Sequence, residues 1–165
     1  MKKITSIIFL VFVTTFGFSQ QNDGECLSGD CQNGYGVMRT SNNFTYTGHF
    51  KNGYFDDTDG FIDCGKGYSY RGGFKNGKKE GYGVRQCGPL CAGEKKNEGY
   101  WKNGSLNGWA RITRESYIEE GNYVNNIRDG KILITYTQYK YNGKYKKEYV
   151  WYVNGEEVKK EEVKD

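Results

Sequence analysis

The sequence predicts an all-β fold built from short antiparallel hairpins, and three observations indicate it. Asn-Gly, the dipeptide best suited to a two-residue hairpin turn, occurs seven times in the 165 residues. The chain holds 24 glycines and one proline, a ratio typical of many tight turns and not of a disordered linker. Apolar residues make up 36%, and the aromatic residues, 16% of the chain, include fifteen tyrosines. Burial is therefore expected to depend on amphipathic rings.

One unit repeats along the chain and contains most of these features. It runs from Tyr46 to Gly53 and again from Tyr70 to Gly77, and its central glycine recurs at positions 48, 72, 99 and 121. The first half predicts a strand with aromatic residues on alternate positions, Asn-Gly predicts the turn, and the second half predicts an antiparallel return strand. The clearest copies are residues 46–60, 70–84 and 97–110, and the degenerate copies are residues 33–40, 117–134 and 148–158.

These units resemble the MORN repeat family, whose pattern is Tyr-x-Gly-x-Trp/Phe-x-x-Gly-x-x-x-Gly-x-Gly. Residues 70–84 fit nearly every position, and the resemblance covers about residues 29–130, although Asn126 replaces a glycine in the fourth copy. The resemblance implies a single-layer curved ribbon of antiparallel β-hairpins. It also implies a protein-interaction or scaffolding module, associated with membranes in some members, whose repeats are not themselves catalytic.

An export signal precedes the repeats. Lys2 and Lys3 are followed by the apolar run 7–13 and by small residues that suit cleavage after Ser19. The run is shorter than the roughly 20 residues that a membrane-spanning helix needs. A hydrophobic N-terminal strand or helix is the alternative. We therefore expect a signal peptide at residues 1–19, a repeat domain at residues 20–165, and an exported, periplasmic or extracellular protein that is at most peripheral to a membrane.

Charge argues against one class of partner and leaves another open. The formal net charge is +4, of which Lys2 and Lys3 contribute two, so the mature chain lacks the basic surface that nucleic acids require. One basic cluster, the Lys140–Lys147 patch, consists of Lys140, Lys144, Lys146 and Lys147. The patch suits contact with anionic lipid headgroups. It is equally typical of a solvated strand edge that carries lysine against aggregation.

Eight aromatic residues of the repeats are the candidate binding residues. Such rings pack one hairpin on the next, and this is the favoured interpretation for any single ring. A one-layer ribbon must also expose a face, and tyrosine and tryptophan are enriched at interfaces. We therefore expect the rings as a set to bind a protein partner, or alternatively a lipid or glycan. They are Tyr46, Phe50, Tyr70, Phe74, Tyr100, Trp101, Trp109 and Tyr123.

Two insertions and the C-terminal end depart from the repeat. Residues 54–59 and 87–96 lengthen their connections, and insertions in repeat proteins map to loops on one face. After Gly130 the pattern predicts two longer strands around Asn142-Gly143 that cap the ribbon. The charged tail 156–165 is expected to be a frayed helix or coil.

The cysteines form two close pairs, Cys26/Cys31 and Cys87/Cys91, which are candidate disulfides in an oxidising compartment. Cys64 is left over. Their spacing does not match two Cys-x2-Cys motifs, and no histidine lies near them, so zinc is disfavoured. We expect no metal and no cofactor.

Catalytic constellations are sparse. The single histidine, His49, falls on a predicted strand and is expected to face solvent. A Ser/His/Asp triad would have to use this one residue, so the sequence does not favour a triad. Acidic residues 56, 57 and 59 are best interpreted as a solvated turn. We predict a non-catalytic exported module that serves as a protein-interaction or scaffolding surface at the cell envelope. The alternative is a peripheral binder of lipid or glycan that uses the tyrosine-rich face and the Lys140–Lys147 patch, and a carboxylate hydrolase ranks lowest.

Overall fold

A computed structural model of the chain describes residues 24–88, 93–141 and 143–163, and every regular element in these ranges is a β-strand. The predicted signal peptide and Cys91 lie outside the described residues. The strands are β1 (Gly24–Gly29), β2 (Tyr35–Thr40), β3 (Thr45–Lys51), β4 (Tyr54–Phe55), β5 (Asp57–Gly65), β6 (Tyr68–Lys75), β7 (Lys78–Gln86), β8 (Glu94–Lys102), β9 (Ser105–Arg114), β10 (Tyr117–Val124), β11 (Ile127–Tyr141), β12 (Lys144–Val153) and β13 (Glu156–Glu162).

All thirteen strands belong to one open antiparallel sheet whose strand order follows the chain. The one exception is the two-residue strand β4, which pairs with β3 beside the main path. This topology arises because each hairpin pairs with the next one in sequence. The all-β prediction is confirmed, and the sheet is consistent with a curved ribbon of hairpins. Among the described residues, no helix has the length and apolar character needed to cross a membrane.

Asn-Gly forms the predicted turns at four places. Both residues of each pair have positive φ, from 48° to 52° for asparagine and from 74° to 87° for glycine, as a two-residue turn between twisted strands requires. The pairs are Asn52-Gly53, Asn76-Gly77, Asn103-Gly104 and Asn154-Gly155. The fourth copy makes the same turn with Asn125 and Asn126, because asparagine tolerates the left-handed region.

The turn between β1 and β2 differs from the prediction. Asn33 and Gly34 do not adopt the left-handed pair seen elsewhere. Instead the carboxylate of Asp30 accepts hydrogen bonds from the backbone N–H groups of Gln32 (2.8 Å) and Asn33 (3.0 Å). A side chain that bonds its own backbone two and three residues later closes the turn without the Asn-Gly geometry.

The first insertion is part of the sheet, not the loop that was expected. Residues 54 and 55 form β4, and β5 begins at Asp57. The ring of Phe55 is buried and stacks on that of Tyr46, with centroids 3.8 Å apart. An apolar side chain within the insertion thus draws it into the core.

The prediction of a helix or coil at the tail is wrong for residues 156–162, which form β13 and pair with β12. All seven residues of β13 are exposed. Backbone hydrogen bonding to an existing edge does not require apolar side chains, so a hydrophobic pattern could not reveal this strand.

The sheet has two unlike faces. The inner face is defined here as the one that carries the buried side chains, and the outer face is its opposite. A row of mostly small residues, called here the small-residue row, crosses the inner face, beginning with Gly36, Gly48, Gly60, Gly72, Gly83 and Gly99 and continuing as Ala110, Gly121, Ile132 and Val150. The N-terminal part of this row is therefore free of side chains, whereas three of its four C-terminal members carry aliphatic groups.

Tyrosine rings lie over the glycines of this row. The Tyr70 hydroxyl donates to the carbonyl of Gly73 at 3.2 Å, and the Tyr46 hydroxyl donates to that of His49 at 3.1 Å. A methyl group at Gly83 would lie within 2.5 Å of the Tyr70 ring, which shows why this position has no side chain.

Candidate functional site

A single inner position of each hairpin determines what lies beside the small-residue row. It is the residue two positions before the row residue in the first strand of each copy. In the first two copies it is tyrosine, and in the next three it is a polar residue: Tyr46, Tyr70, Asn97, Glu119 and Glu148. The last three are the buried polar residues of the described chain. At this position the inner face is thus aromatic in its N-terminal half and polar in its C-terminal half.

Six buried rings form one cluster in the N-terminal half. Neighbouring rings meet edge to face with centroids 5.1 to 5.9 Å apart, apart from the stacked Tyr46–Phe55 pair. The cluster consists of Tyr46, Phe50, Phe55, Tyr70, Phe74 and Trp101. The repeat produces it because residues four apart in a strand point to the same face. Edge-to-face pairs are the favoured arrangement of aromatic rings.

A cavity of about 760 Å³ opens beside this cluster. Its apolar wall includes Phe44, Phe55, Ile62, Tyr70 and Phe74. Its charged residues are all cationic, namely Lys66, Lys78, Lys79 and Arg85, and no carboxylate of the described chain lines it. The size and the apolar lining are those of a ligand-binding cleft. We call this space the aromatic cleft.

Lys79 is the central cation of the aromatic cleft. Its Nζ lies 4.7 Å from the centroid of the Tyr70 ring and 4.6 Å from that of Trp101. The ammonium group forms no hydrogen bond or ion pair with any described residue. Burial and, to a smaller extent, repulsion from Arg85 lower the pKa of Lys79 to about 8. The two ring faces partly compensate this positive charge.

A second cavity of about 370 Å³ adjoins the first and shares Lys79 and Arg85 with it. It lies where Asn97 replaces the tyrosine of earlier copies, so a smaller side chain leaves space. Glu94 accepts hydrogen bonds from Arg85 Nη2 at 2.6 Å and from Asn97 Nδ2 at 3.1 Å. Arg85 Nε and Asn97 Oδ1 are buried and have no hydrogen-bond partner among the described residues. We call this space the polar pocket.

The C-terminal half contrasts with the cleft because its buried charges are paired. Glu119 is 0% exposed and accepts hydrogen bonds from Arg128 (2.7 Å), Tyr123 (2.8 Å) and Arg114 (2.9 Å). Burial alone would raise the pKa of Glu119, but these bonds outweigh burial and lower it to about 2. Glu148 is held in the same way by Tyr136 (2.7 Å) and by two lysines.

The eight predicted aromatic residues do not share one face. Six of them are buried on the inner face: Tyr46, Phe50, Tyr70, Phe74, Trp101 and Tyr123. Tyr100 and Trp109 are 51% and 41% exposed on the outer face. Adjacent strand residues must point to opposite faces, so Tyr100 and Trp101 could not have belonged to one surface. Their role in binding stays a prediction.

The remaining predicted residues are placed as follows. The Lys140–Lys147 patch lies at the free end of the β11–β12 hairpin, where Lys146 pairs with Glu148 at 2.8 Å. His49 is exposed on β3, as expected, and its Nδ1 lies 3.1 Å from Asp57 Oδ2. No group of three or more metal-ligating side chains occurs in the ranges that the structure describes.

One of the two predicted disulfides is observed. Cys26 and Cys31 are bonded, with Cα atoms 5.9 Å apart, and tie β1 to the turn that follows it. The Cys87/Cys91 pair stays a prediction because Cys91 lies outside the described residues. Cys64 has a free thiol that lines the aromatic cleft, and burial raises its pKa.

Sequence reasoning missed the residues that make the cleft distinctive, Lys79 and Arg85, and the buried Asn97 and Glu119. A signal for the last two was present, since each stands two residues before a repeat glycine, where earlier copies have tyrosine. Nothing in the spacing of Lys79 distinguishes it from its exposed neighbour Lys78.

Comparison with known proteins supports the repeat assignment. The family model for the MORN repeat matches residues 70–89, which comprise most of β6, all of β7 and the start of the following connection. No curated protein matches the chain significantly. MORN repeats are commonly protein- or membrane-interaction modules and are generally non-catalytic. Residues 70–89 thus match the MORN repeat, and they lie within one continuous antiparallel sheet of hairpins.

Proposed function

We propose that this chain is a non-catalytic, exported interaction module that binds a protein partner over the aromatic cleft and acts as a scaffold at the cell envelope. The observation that carries the proposal is the cleft itself, an open cavity of about 760 Å³ walled by aromatic rings. A buried apolar wall edged by cations is the kind of surface into which a partner's bulky side chains insert.

The chemistry of the cleft favours binding over catalysis. Histidine and carboxylates are the commonest general acid–base groups of enzymes, and no such side chain of the described residues lines the cleft. The one free thiol there, Cys64, has a pKa raised by burial, so it is protonated at neutral pH and is a poor nucleophile.

Export is supported by two independent features. The first is the order of charge, apolar run and small residues at positions 1–19. The second is the Cys26–Cys31 disulfide, because such bonds persist mainly in oxidising compartments outside the cytoplasm.

The proposal is tested by photo-cross-linking from two matched positions. Benzoylphenylalanine replaces Phe44, which lines the cleft, or Tyr82, which is exposed on the outer face, so that each variant exchanges one aromatic side chain for another. We expect irradiation in the native cell to give a defined protein adduct from position 44 and none from position 82. Adducts from position 82 alone, or none from position 44, would contradict the proposal.

Peripheral binding of lipid is the second candidate, and the exposure of Lys140 and Lys147 at one hairpin end favours it. Sedimentation with anionic and neutral vesicles tests it directly. Salt-sensitive binding to anionic vesicles that is lost in a Lys140→Glu/Lys147→Glu variant would support this candidate. Absence of binding at low salt would remove lipid as the ligand.

A further inference from the structure

We infer that the segment which enters the aromatic cleft carries a carboxylate beside a bulky apolar side chain, and that Lys79 is the residue that selects it. This inference rests on the proposed function and names the chemistry of the partner. Lys79 is a half-buried ammonium group between Tyr70 and Trp101 with no anionic partner among the described residues. A buried charge without a counterion is unfavourable, and a ligand carboxylate would supply the counterion.

The charge available in the cleft corresponds to one carboxylate. Arg85, the other inner cation at this point, is already paired with Glu94, with Nη2 and Oε2 2.6 Å apart. Lys66 and Lys78 are exposed at the rim, where water screens their charge. Lys79 therefore offers a single compact positive charge beside an apolar wall. A singly charged carboxylate fits this arrangement better than a doubly charged phosphate, which favours several donors and bidentate arginine.

The shape of the site favours a polypeptide over an acyl chain. The aromatic cleft and the polar pocket share Lys79, Arg85 and Gly104, so they form one continuous surface with an apolar end and a polar end. In the polar pocket, Glu94, Asn97 and Arg114 present both acceptors and donors. A peptide main chain has N–H and C=O groups that can use them, whereas an acyl chain gains only from the apolar end.

The proposal predicts a pH dependence of binding. A ligand carboxylate beside Lys79 stabilises the charged form of this lysine. Ligand binding therefore weakens as the pH rises through about 8, the pKa of Lys79 in the ligand-free protein. Several titratable and charged groups face Lys79. Burial raises the pKa of two of them, Cys64 and Tyr70, above the ordinary values of a thiol and a phenol, and Arg85 is a third neighbour. The remaining neighbours are Cys87 on the connection after β7, Glu94 on β8, Arg114 on β9 and Arg128 on β11.

Two dyes with the same apolar body test the charge. Anilinonaphthalene sulfonate carries one negative charge, and phenylnaphthylamine carries none. We expect the full chain to bind the sulfonate more tightly at pH 7 than at pH 9 by about tenfold, because the protonated fraction of a group with a pKa near 8 changes by that factor. Binding of the neutral dye should change by less than about twofold.

A Lys79→Met variant keeps the length of the side chain and removes its charge. It should lose about fivefold or more in sulfonate affinity and keep its affinity for the neutral dye. Circular dichroism establishes that the variant is folded, and the pH series on the unmodified chain gives the same answer without any substitution. Equal binding of the two dyes, or a sulfonate affinity unaffected by both pH and Lys79→Met, would overturn the assignment of Lys79.

Competition against the bound sulfonate distinguishes peptide from lipid. The probes are an amidated pentapeptide with a Phe-Glu-Phe core, its Phe-Gln-Phe counterpart, and dodecanoate. Displacement by the glutamate peptide, with several-fold weaker displacement by the glutamine peptide, supports the inference. Displacement by dodecanoate and by neither peptide would overturn it in favour of a fatty acid.

The two proposals fail in different ways. If cross-links form from position 44 but the Lys79→Met variant forms them equally well, the partner is a protein and only the carboxylate requirement is wrong. If no cross-link forms from position 44, the proposed function is wrong, whatever the dyes do.

Discussion

The two halves of the inner face use one hairpin position in opposite ways. In the N-terminal half the position holds Tyr46 and Tyr70, whose rings cover glycines and leave a cleft with an unpaired lysine. In the C-terminal half it holds Glu119 and Glu148, and arginine, lysine and tyrosine side chains satisfy each carboxylate. The same hairpin backbone thus carries one half whose buried charges are paired within the protein and one half in which a buried lysine lacks a counterion among the described residues. We interpret the first as the stabilising half and the second as the binding half.

Asn97 marks the boundary between the halves. Its side chain is too small to fill the space of the tyrosine ring, and, unlike glutamate, it has no charge that pairs with arginine. The polar pocket therefore opens beside it. The aromatic cleft and the paired carboxylates therefore meet at one strand, β8.

The largest expected effect comes from the aromatic cluster. Trp101→Ala should lower the free energy of unfolding by about 3–5 kcal/mol, because it removes a buried ring and leaves a cavity. Trp109→Ala is the matched control on the exposed outer face, and it should cost less than about 1 kcal/mol. Urea denaturation followed by circular dichroism measures both. Similar losses for the two variants would contradict the division of the sheet into unlike faces.

In the stabilising half, Glu119→Gln should lower the free energy of unfolding by about 3 kcal/mol, since it leaves Arg114 and Arg128 without their buried carboxylate. Glu120→Gln is the control, because Glu120 is the next residue and faces outward, where it pairs with Arg111 at 3.3 Å. The control should change stability by less than about 0.5 kcal/mol. A Glu119→Gln variant as stable as the control would mean that these ion pairs do not stabilise the C-terminal half.

Acid provides a second test of Glu119. Its pKa in the folded protein is lowered to about 2 from an ordinary value of 4.5, so its contribution is fully present above pH 4.5 and is lost as the pH falls toward 2. Unfolding free energies at pH 7, 4.5 and 2.5 should decline less steeply for Glu119→Gln than for the unmodified chain. Parallel declines would show that other groups cause the acid sensitivity.

Gly83→Ala should have an intermediate effect. Its new methyl group would meet the Tyr70 ring within 2.5 Å, and overpacking of this kind costs about 1–3 kcal/mol. The comparison is Ala110→Gly in the same row, which removes a methyl group where one already fits and should cost about 1 kcal/mol or less. Thermal denaturation ranks the pair, and the reverse order would contradict the packing of tyrosine rings over the small-residue row.

The smallest effect is expected at Lys79. Lys79→Met removes an unpaired, half-buried charge, so the unfolding free energy should stay within about 0.5 kcal/mol of the original or rise. The contrast with Glu119→Gln is informative. Glu119→Gln removes a charge that is paired within the protein, whereas Lys79→Met removes a charge that has no counterion among the described residues. A loss above about 2 kcal/mol at Lys79 would mean that this lysine stabilises the fold and is not held ready for a ligand.

The fold was largely predictable because its signals are local. Asn-Gly turns and alternating aromatics specify hairpins directly, and even the substituted Asn125-Asn126 turn keeps the required positive φ. Strand β13 was missed because its side chains are all polar and its existence depends on the adjacent edge of β12. The inclusion of Phe55 in the core was missed because it depends on contact with Tyr46.

The site was less predictable because it depends on differences between copies. Residue type alone identifies the eight aromatic residues, whereas the cleft is defined by the side chains beside them, such as Lys79 between two rings. A comparison of the copies, position by position, identifies Asn97 and Glu119 but does not show that Lys79 is more buried than Lys78. Successive side chains of β7 point to opposite faces, and Lys79 lies on the face that carries the rings of Tyr70 and Trp101.

The most direct test of the account is to map where an aromatic monoanion binds. Backbone amide chemical shifts of the isotope-labelled chain are followed by nuclear magnetic resonance while anilinonaphthalene sulfonate is added. The account predicts that the largest changes occur on β6, β7 and β8 around Lys79, with none on β13. Largest changes at the Lys140–Lys147 patch, or at outer residues such as Tyr82 and Trp109, would contradict the assignment of the aromatic half as the binding half.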